Sequence, residues 1–192
     1  VTLLDLTRDV FEVLSTAGDT SLGGDDVDTK LAEHLSDQYL KQHRYDPRAH
    51  AVEFARLRLL AEEIKCDLSS EKEIHRRIDT VGYGMDGARL VLDLALSRDE
   101  LERLSGPLVD RTIQVTKGAL DAAGLLPRDI DQVILVGGST RMPVIGAAIS
   151  LIACLSSVVV VMTAISSDRS SVTTWQSQTW SADPAWELRR RA

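Results

Sequence analysis

The sequence predicts an α/β fold, in which short strands alternate with amphipathic helices. Short runs of apolar and β-branched residues, bounded by turn formers, are typical of strands and recur along residues 1–143. Longer segments between them repeat their apolar residues every three or four positions, which indicates helices with one buried face. In the stretch 133–143 an apolar run leads through two glycines to Pro143, which is typical of a strand, a tight turn and a helix start.

Composition restricts the classes of function. The 192 residues are 44% apolar, which is enough for a core. The net charge of 22 − 29 = −7 argues against a nucleic-acid partner. Cys66 and Cys154 are too few for a disulfide framework or a metal cluster, and they favour reduced thiols in a cytoplasmic protein. Because no signal-peptide pattern precedes the first strand at Val1, the chain is consistent with a fragment of a longer protein.

The first elements are a hairpin and a helix. Residues 1–6 and 10–15 are rich in strand formers and predict a β-hairpin. A glycine- and aspartate-rich loop follows, and Asp25 or Asp26 is suited to cap the helix that starts there. One apolar stripe predicts the buried face of this helix: Val27, Leu31, Leu35 and Tyr39.

A second helix is predicted over residues 48–70. Its apolar stripe consists of Phe54, Leu57, Ala61, Ile64 and Leu68. A polar stripe, rotated by one residue, carries Glu62, Lys65 and Ser69 at the edge of the buried face. From spacing alone, the favoured explanation is an ordinary Glu–Lys pair three residues apart, worth about 0.3 kcal/mol.

The remaining pattern predicts two strands, a long helix and a buried strand. Residues 74–81 and 89–96 flank a glycine-rich turn, and the second run alternates buried and exposed positions. A capping box over 97–100 opens the next helix, which we expect to break at Gly106-Pro107 and to end at Gly124. The predicted inner stripe of this helix is Leu101, Leu104, Leu108, Val115, Ala119 and Ala122. We expect the strand 133–136 to be buried.

Two motifs resemble the heat-shock-protein-70 (DnaK-type) chaperones. The first is Gly137-Gly138-Ser139-Thr140-Arg141-Met142-Pro143, although glycines at a strand-to-helix turn also occur for steric reasons alone. The second spans residues 11–28, from Phe-Glu-Val-Leu to Gly-Gly-Asp-Asp-Val-Asp. Leu68-Ser69-Ser70 also fits the family pattern, and the resemblance covers roughly residues 1–143.

The resemblance implies an adenine-nucleotide site. It assigns the adenosine contacts to the helix stripe of Glu62, Lys65 and Ser69. This chain has Cys66 at the next position after Lys65, where many members of the family carry a basic residue. It further implies that the following residues lie near the nucleotide: Gly24, Asp25, Gly137, Gly138, Ser139 and Arg141. No catalytic residue and no metal ligand is assigned within this chain.

The resemblance also implies a fold and a division into domains. Residues 1–149 correspond to the second lobe of the chaperone's ATPase domain, an actin-like fold with a ribonuclease H-like mixed sheet and a small α+β subdomain. The sheet subdomain is expected at 1–22 and 106–149, and the small one at 23–105. In the family, Mg²⁺ and the phosphates of ATP or ADP are held by the first lobe and a GGGTFD-type loop. We therefore expect this chain alone not to hydrolyse ATP.

The segment 150–192 matches nothing in the family and is expected to be disordered or to enter a membrane. Residues 144–165 carry no charge and are long enough for a bilayer, although hydroxyl groups weaken that interpretation. Two functions compete. One is a nucleotide-binding fragment of a chaperone that assists protein folding. The other is a non-catalytic interaction module that meets nucleotide-exchange factors or co-chaperones, with membrane anchoring through 144–165 as a less favoured variant.

Overall fold

The computed structural model describes residues 1–7, 10–79, 81–84 and 87–150, together with the backbone of 159–163. The described residues form an α/β structure, as the sequence predicts. In chain order the elements are β1 (Thr2–Thr7), β2 (Val10–Thr16), α1 (Gly24–His43), α2 (Ala51–Ser70), β3 (Glu73–Ile78), β4 (Leu92–Ser97), α3 (Arg98–Ala123), β5 (Gln132–Val136), α4 (Pro143–Ser150) and β6 (Val159–Thr163). The chain divides into two compact units, of which the first combines Val1–Gly24 with the chain from Leu108 onward and the second is Asp25–Pro107.

The first unit contains a four-stranded sheet in the order β2-β1-β6-β5. The strands β1 and β2 pair antiparallel, which confirms the predicted hairpin. The strand β6 pairs antiparallel with β1 and parallel with β5. A core cluster lies against the sheet and comprises Leu3, Ala119, Leu120, Ile130 and Ile149.

The second unit contains α1, α2 and the antiparallel pair β3–β4. The predicted stripe of α1 is confirmed, because all four of its apolar residues are buried. In α2 the stripe is also buried, except that Phe54 is only partly covered. The phenol of Tyr39 donates a hydrogen bond to the carbonyl of Ile78 at 3.3 Å, which ties α1 to the end of β3.

The long helix α3 differs from the prediction in two respects. It is continuous through Pro107, since proline is compatible with helical φ and costs one backbone hydrogen bond on an exposed side of the helix. Its buried face is also rotated from the predicted stripe, and includes Ser105 and Thr116 while Ala122 is exposed. The hydroxyls of Ser105 and Thr116 donate to the carbonyls four residues earlier, so these polar side chains are buried with their protons satisfied.

The end of α3 follows the sequence closely. Gly124 adopts a positive φ of 67°. Its N–H donates to the carbonyl of Asp121, and the N–H of Leu125 donates to the carbonyl of Leu120. These two bonds form a Schellman motif, which confirms Gly124 as the predicted C-cap.

The strand β5 lies at the predicted position in the chain, but the prediction that it is buried is wrong. We expected it to be buried, whereas it lies at an edge of the described sheet and Ile134 is 41% exposed. Val133 and Leu135 pack against the core cluster from one face. The core therefore covers only one face of β5. An apolar composition alone does not distinguish a strand that is covered on one face from a strand that is covered on both.

The tail differs from the expectation over five residues. We expected the segment beyond 150 to be disordered or to span a membrane, but Val159–Thr163 forms β6 within the sheet. The apolar segment 144–165 is divided, since its first part belongs to the short helix α4. In the described ranges of the chain, no helix is long and apolar enough to cross a membrane. From the lack of family resemblance beyond 150 we also expect Trp175, Trp180 and Trp186 to be exposed and solvent-quenched, and these positions lie outside the described residues.

Candidate functional site

Lys65, at the centre of the polar stripe on α2, is buried in an ion pair with Asp28 of α1. The Lys65 side chain is 10% exposed and that of Asp28 is 6% exposed. The ammonium Nζ lies 2.7 Å from Oδ1 and 2.8 Å from Oδ2, and only Oδ2 has the geometry of a hydrogen-bond acceptor. The position of the Lys65 amine is therefore explained mainly by its ion pair with Asp28 of α1, rather than by a pair with Glu62 on its own helix.

The electrostatics of this pair are dominated by burial. Desolvation raises the pKa of the Asp28 carboxyl above its ordinary value, and the hydrogen bond and charge of Lys65 counteract that shift. The carboxylates of Glu62 and Asp25 add smaller contributions that also raise the pKa of Asp28. Asp28 thus depends on Lys65 for its charge, and removal of the amine would leave a buried acid without its counterion.

The other two residues of the stripe differ in exposure. Glu62 is exposed, whereas Ser69 is partly buried and donates its hydroxyl proton to the carbonyl of Lys65 at 2.9 Å. The oxygen of Ser69 keeps lone pairs that are oriented by this bond. Cys66 is exposed and lies next to Lys65 in α2. The helix therefore combines an exposed carboxylate, a hydroxyl and a fixed positive charge.

Arg98, the first residue of α3, holds the end of α2. Its guanidinium donates to the carbonyl of Leu68 at 2.8 Å, to that of Glu71 at 2.9 Å and to that of Ser69 at 3.4 Å. The last carbonyls of a helix have no partner within the helix, so a donor from outside stabilises the final turn. Arg98 thus fixes the turn that carries Ser69.

The glycine motif forms a tight turn between β5 and α4. Gly137 has φ 106° and ψ 160°, a conformation that is essentially restricted to glycine. Residues Gly138–Arg141 make one short 3₁₀ turn, in which the hydroxyl of Thr140 donates to the carbonyl of Gly137 at 2.6 Å. A Cβ built on Gly138 meets nothing within 4 Å, and the Arg141 side chain is exposed. Helix α4 begins at Pro143, as predicted.

The other candidates lie at the start of α1. This helix begins at Gly24, and Asp25 is exposed in its first turn, where a negative charge favours the helix dipole. The carbonyl of Asp25 accepts a hydrogen bond from the Thr29 hydroxyl at 2.8 Å. The candidate residues divide between the two compact units, with Asp25, Glu62, Lys65 and Ser69 in one and Gly24 and the glycine turn in the other.

A family model described as Hsp70 protein matches residues 1–155, and therefore includes both the α2 stripe and the glycine turn. The chain belongs to the Hsp70 family. This membership confirms the resemblance found in the two glycine motifs. It supports a chaperone-type domain that binds ATP or ADP, as Hsp70 proteins generally do.

Sequence reasoning missed two residues that shape the Hsp70 candidate site. Asp28 closes the second family motif, but its pairing with Lys65 joins residues 37 positions apart and depends on how α1 packs on α2. The sequence signal was an acidic residue directly after Val27 on the buried stripe. Arg98 stands within the predicted capping box, a motif that does not involve its side chain, and the carbonyls that it binds lie 27–30 positions earlier. In the described part of the chain, no group of three or more His, Cys, Asp or Glu is placed to hold a metal ion.

Proposed function

We propose that this chain is the adenosine-binding lobe of a DnaK-type chaperone, the second lobe of an actin-like nucleotide-binding domain. The observation that carries the proposal is the Hsp70 match over both the α2 stripe and the glycine turn. Each element provides what a nucleoside needs. The helix presents hydrogen-bonding groups, and the glycine turn presents backbone without a side chain in front of it.

In this proposal the residues have distinct roles. The exposed Glu62 carboxylate and the Ser69 oxygen accept hydrogen bonds from the nucleoside, while the Lys65 ammonium supplies a fixed donor and positive charge. Gly137 and Gly138 let the backbone approach the flat face of the base. Arg141 stacks on the base or pairs with an acidic group. Gly24 and Asp25 contribute from the start of α1.

Calorimetric titration with adenosine and with ADP tests these roles. Lys65 is unsuitable for the first variant because it holds a buried ion pair, so its loss would affect stability as well as binding. Glu62→Gln and Ser69→Ala change accessible groups, and each is expected to weaken binding about tenfold, the equivalent of one hydrogen bond of about 1.4 kcal/mol. Glu63→Gln, on an exposed neighbouring carboxylate, is the matched control.

Gly138→Ala separately tests the role proposed for the glycine turn, which belongs to the first unit. The added methyl group meets open space in the protein, so stability should be unchanged. Binding should nevertheless weaken, because the methyl group would occupy the space into which the nucleoside approaches. Unchanged affinity in Gly138→Ala would remove the glycine turn from the proposed contacts, and unchanged affinity in both Glu62→Gln and Ser69→Ala would remove the α2 stripe.

We further propose that this polypeptide does not hydrolyse ATP by itself. Phosphoryl transfer depends on positioned Mg²⁺ and on groups that orient the nucleophile, and the family motif assigns none of these to the residues of this chain. The affinities for ATP, ADP and adenosine should then be similar. A phosphate-release rate above background that is abolished by mutation in this chain would contradict the proposal.

The alternative of an interaction module is favoured by one observation, the exposed apolar surface of the hairpin. Phe11 and Val13, on one face of β2, are 68% and 60% exposed, and Leu6, paired with Phe11 on β1, is 51% exposed. Exposed apolar side chains in a cluster often mark protein–protein contacts. This alternative predicts that binding of a co-chaperone or exchange factor is independent of adenosine and is reduced by Phe11→Ser.

A further inference from the structure

The strand β6 lies inside the sheet of the first unit, although its residues lie beyond the part of the chain that matches the Hsp70 family. Within the described sheet, β1 and β5 are joined only through β6. Residues Thr2–Leu4 of β1 pair with 159–161 on one side, and Gln132–Val136 pairs with the whole of β6 on the other. The Hsp70 match, however, ends at residue 155. A strand from outside the family-matched region therefore completes the sheet of that region.

The position that β6 fills is a slot with defined chemistry. Adjacent strands lie about 4.8 Å apart, so β1 and β5 are separated by about 10 Å, the width of one strand. Both strands contribute to one core, since Leu3 belongs to the buried cluster and Val133 and Leu135 pack against it. Without a strand between them, two rows of backbone groups beside this core would lose their partners, which is strongly disfavoured.

We propose that the gap between β1 and β5 is a strand-binding slot, whose ligand is an extended, uncharged segment rich in β-branched residues, and that β6 fills it in cis. The sequence of β6 is Val-Val-Val-Met-Thr, and the chain has no charged residue between Arg141 and Asp168. The ligand must run antiparallel to β1 and parallel to β5. Main-chain hydrogen bonds on both sides provide the affinity, as in other cases of strand addition.

Cross-linking of the full chain tests whether β6 fills the slot of its own molecule. Thr2 and Val161 are directly opposed. Opposed residues of antiparallel strands have Cα atoms about 4.5–5.5 Å apart, which a disulfide can bridge. In a background with Cys66→Ser and Cys154→Ser, Thr2→Cys with Val161→Cys should form an intramolecular disulfide. The matched control, Thr2→Cys with Val160→Cys, is one residue out of register and should form little. A disulfide between molecules, or equal yields in both variants, would overturn the assignment.

Strand replacement tests whether the slot accepts a ligand in trans. Val161→Pro in the full chain removes an N–H from the centre of β6 and is incompatible with a central strand. Amide hydrogen exchange in β1 and β5 should accelerate at least tenfold, while the amides of α1 in the other unit keep their protection. The control is Ser177→Pro, at a position outside β6.

A peptide of residues 157–165, with a solubilising lysine pair at its end, should restore the slow exchange of the Val161→Pro variant. The same peptide carrying the proline substitution should have no effect. If the peptide without proline does not restore protection, then β6 is only structural and the slot is not a binding site. Unchanged exchange in Val161→Pro would show that β6 does not complete the sheet.

Discussion

Removal of Lys65 is the perturbation with the largest expected effect on stability. Its partner Asp28 is almost fully buried, so Lys65→Met leaves a carboxylate without its counterion in the interior. Breaking a buried ion pair from one side costs about 3–5 kcal/mol. Methionine is unbranched and nearly as long as lysine, so loss of packing should contribute little. Urea unfolding at about pH 7, read by circular dichroism, gives the free energy of unfolding for each variant.

Two controls separate the buried charge from the loss of a lysine. The exposed pair of Lys30 and Glu33, at 2.9 Å, should lose less than about 0.5 kcal/mol in Lys30→Met. The double variant Asp28→Leu/Lys65→Met removes both charges and should unfold within about 2 kcal/mol of the wild type. A cost below about 1 kcal/mol for Lys65→Met, equal to that of Lys30→Met, would refute the reasoning.

The pH dependence gives a second signature of the same pair. Burial raises the pKa of Asp28 in the folded state above its unfolded value, and the loss of Lys65 raises the pKa further. The folded state then binds the proton more tightly, so its contribution to stability is present at low pH and is lost as pH rises through the folded pKa. The deficit of Lys65→Met should therefore grow from about pH 4 towards pH 7, by at most about 1.4 kcal/mol per pH unit. The double variant should show no such growth.

Five further substitutions, two of them controls, test local features by the same unfolding measurement. Arg98→Ala should cost about 1–3 kcal/mol because the carbonyls at the end of α2 lose a charged donor, and Arg98→Lys should recover only part of this. Gly137→Ala should cost about 1–3 kcal/mol, since φ 106° is strained for any other residue, whereas Gly138→Ala should be neutral. Gly82→Ala should cost about 1–3 kcal/mol, because its Cβ would lie 2.8 Å from the ring of Tyr45, which is held by stacking and by Glu53. Neutral behaviour of Gly137→Ala or Gly82→Ala would contradict the described backbone and packing at that position.

Local patterns predicted the elements well and their environments less well. The stripe of α1 and the cap at Gly124 were correct because helical period and positive φ are properties of short segments. The buried face of α3 was misplaced because hydrophobicity does not register hydroxyls that are satisfied by their own helix, as in Ser105 and Thr116. The buried face of α3 could not be predicted from the sequence because the exposure of a side chain and its hydrogen bonds depend on the folded structure.

For the candidate site, the limit was the distance along the chain between partners. The stripe on α2 gave the position of Lys65, but its pairing with Asp28 depends on two helices meeting. The same holds for β6, whose neighbours in the sheet lie more than 20 residues away along the chain. The apolar composition of that segment was visible in the sequence, and its partner strands were not. The assignment of the nucleotide contacts themselves stays a prediction.

The exposed Cys66 gives the chain a chemical reporter of its own. The thiol follows Lys65 directly in α2, so a nucleoside seated along that helix would restrict the approach of an alkylating reagent. The rate at which iodoacetamide modifies this cysteine, followed by mass spectrometry of its peptide, then becomes a footprint of occupancy in the unmodified protein. Protection that rises with adenosine concentration and is absent with uridine would map the ligand to this helix without any mutation.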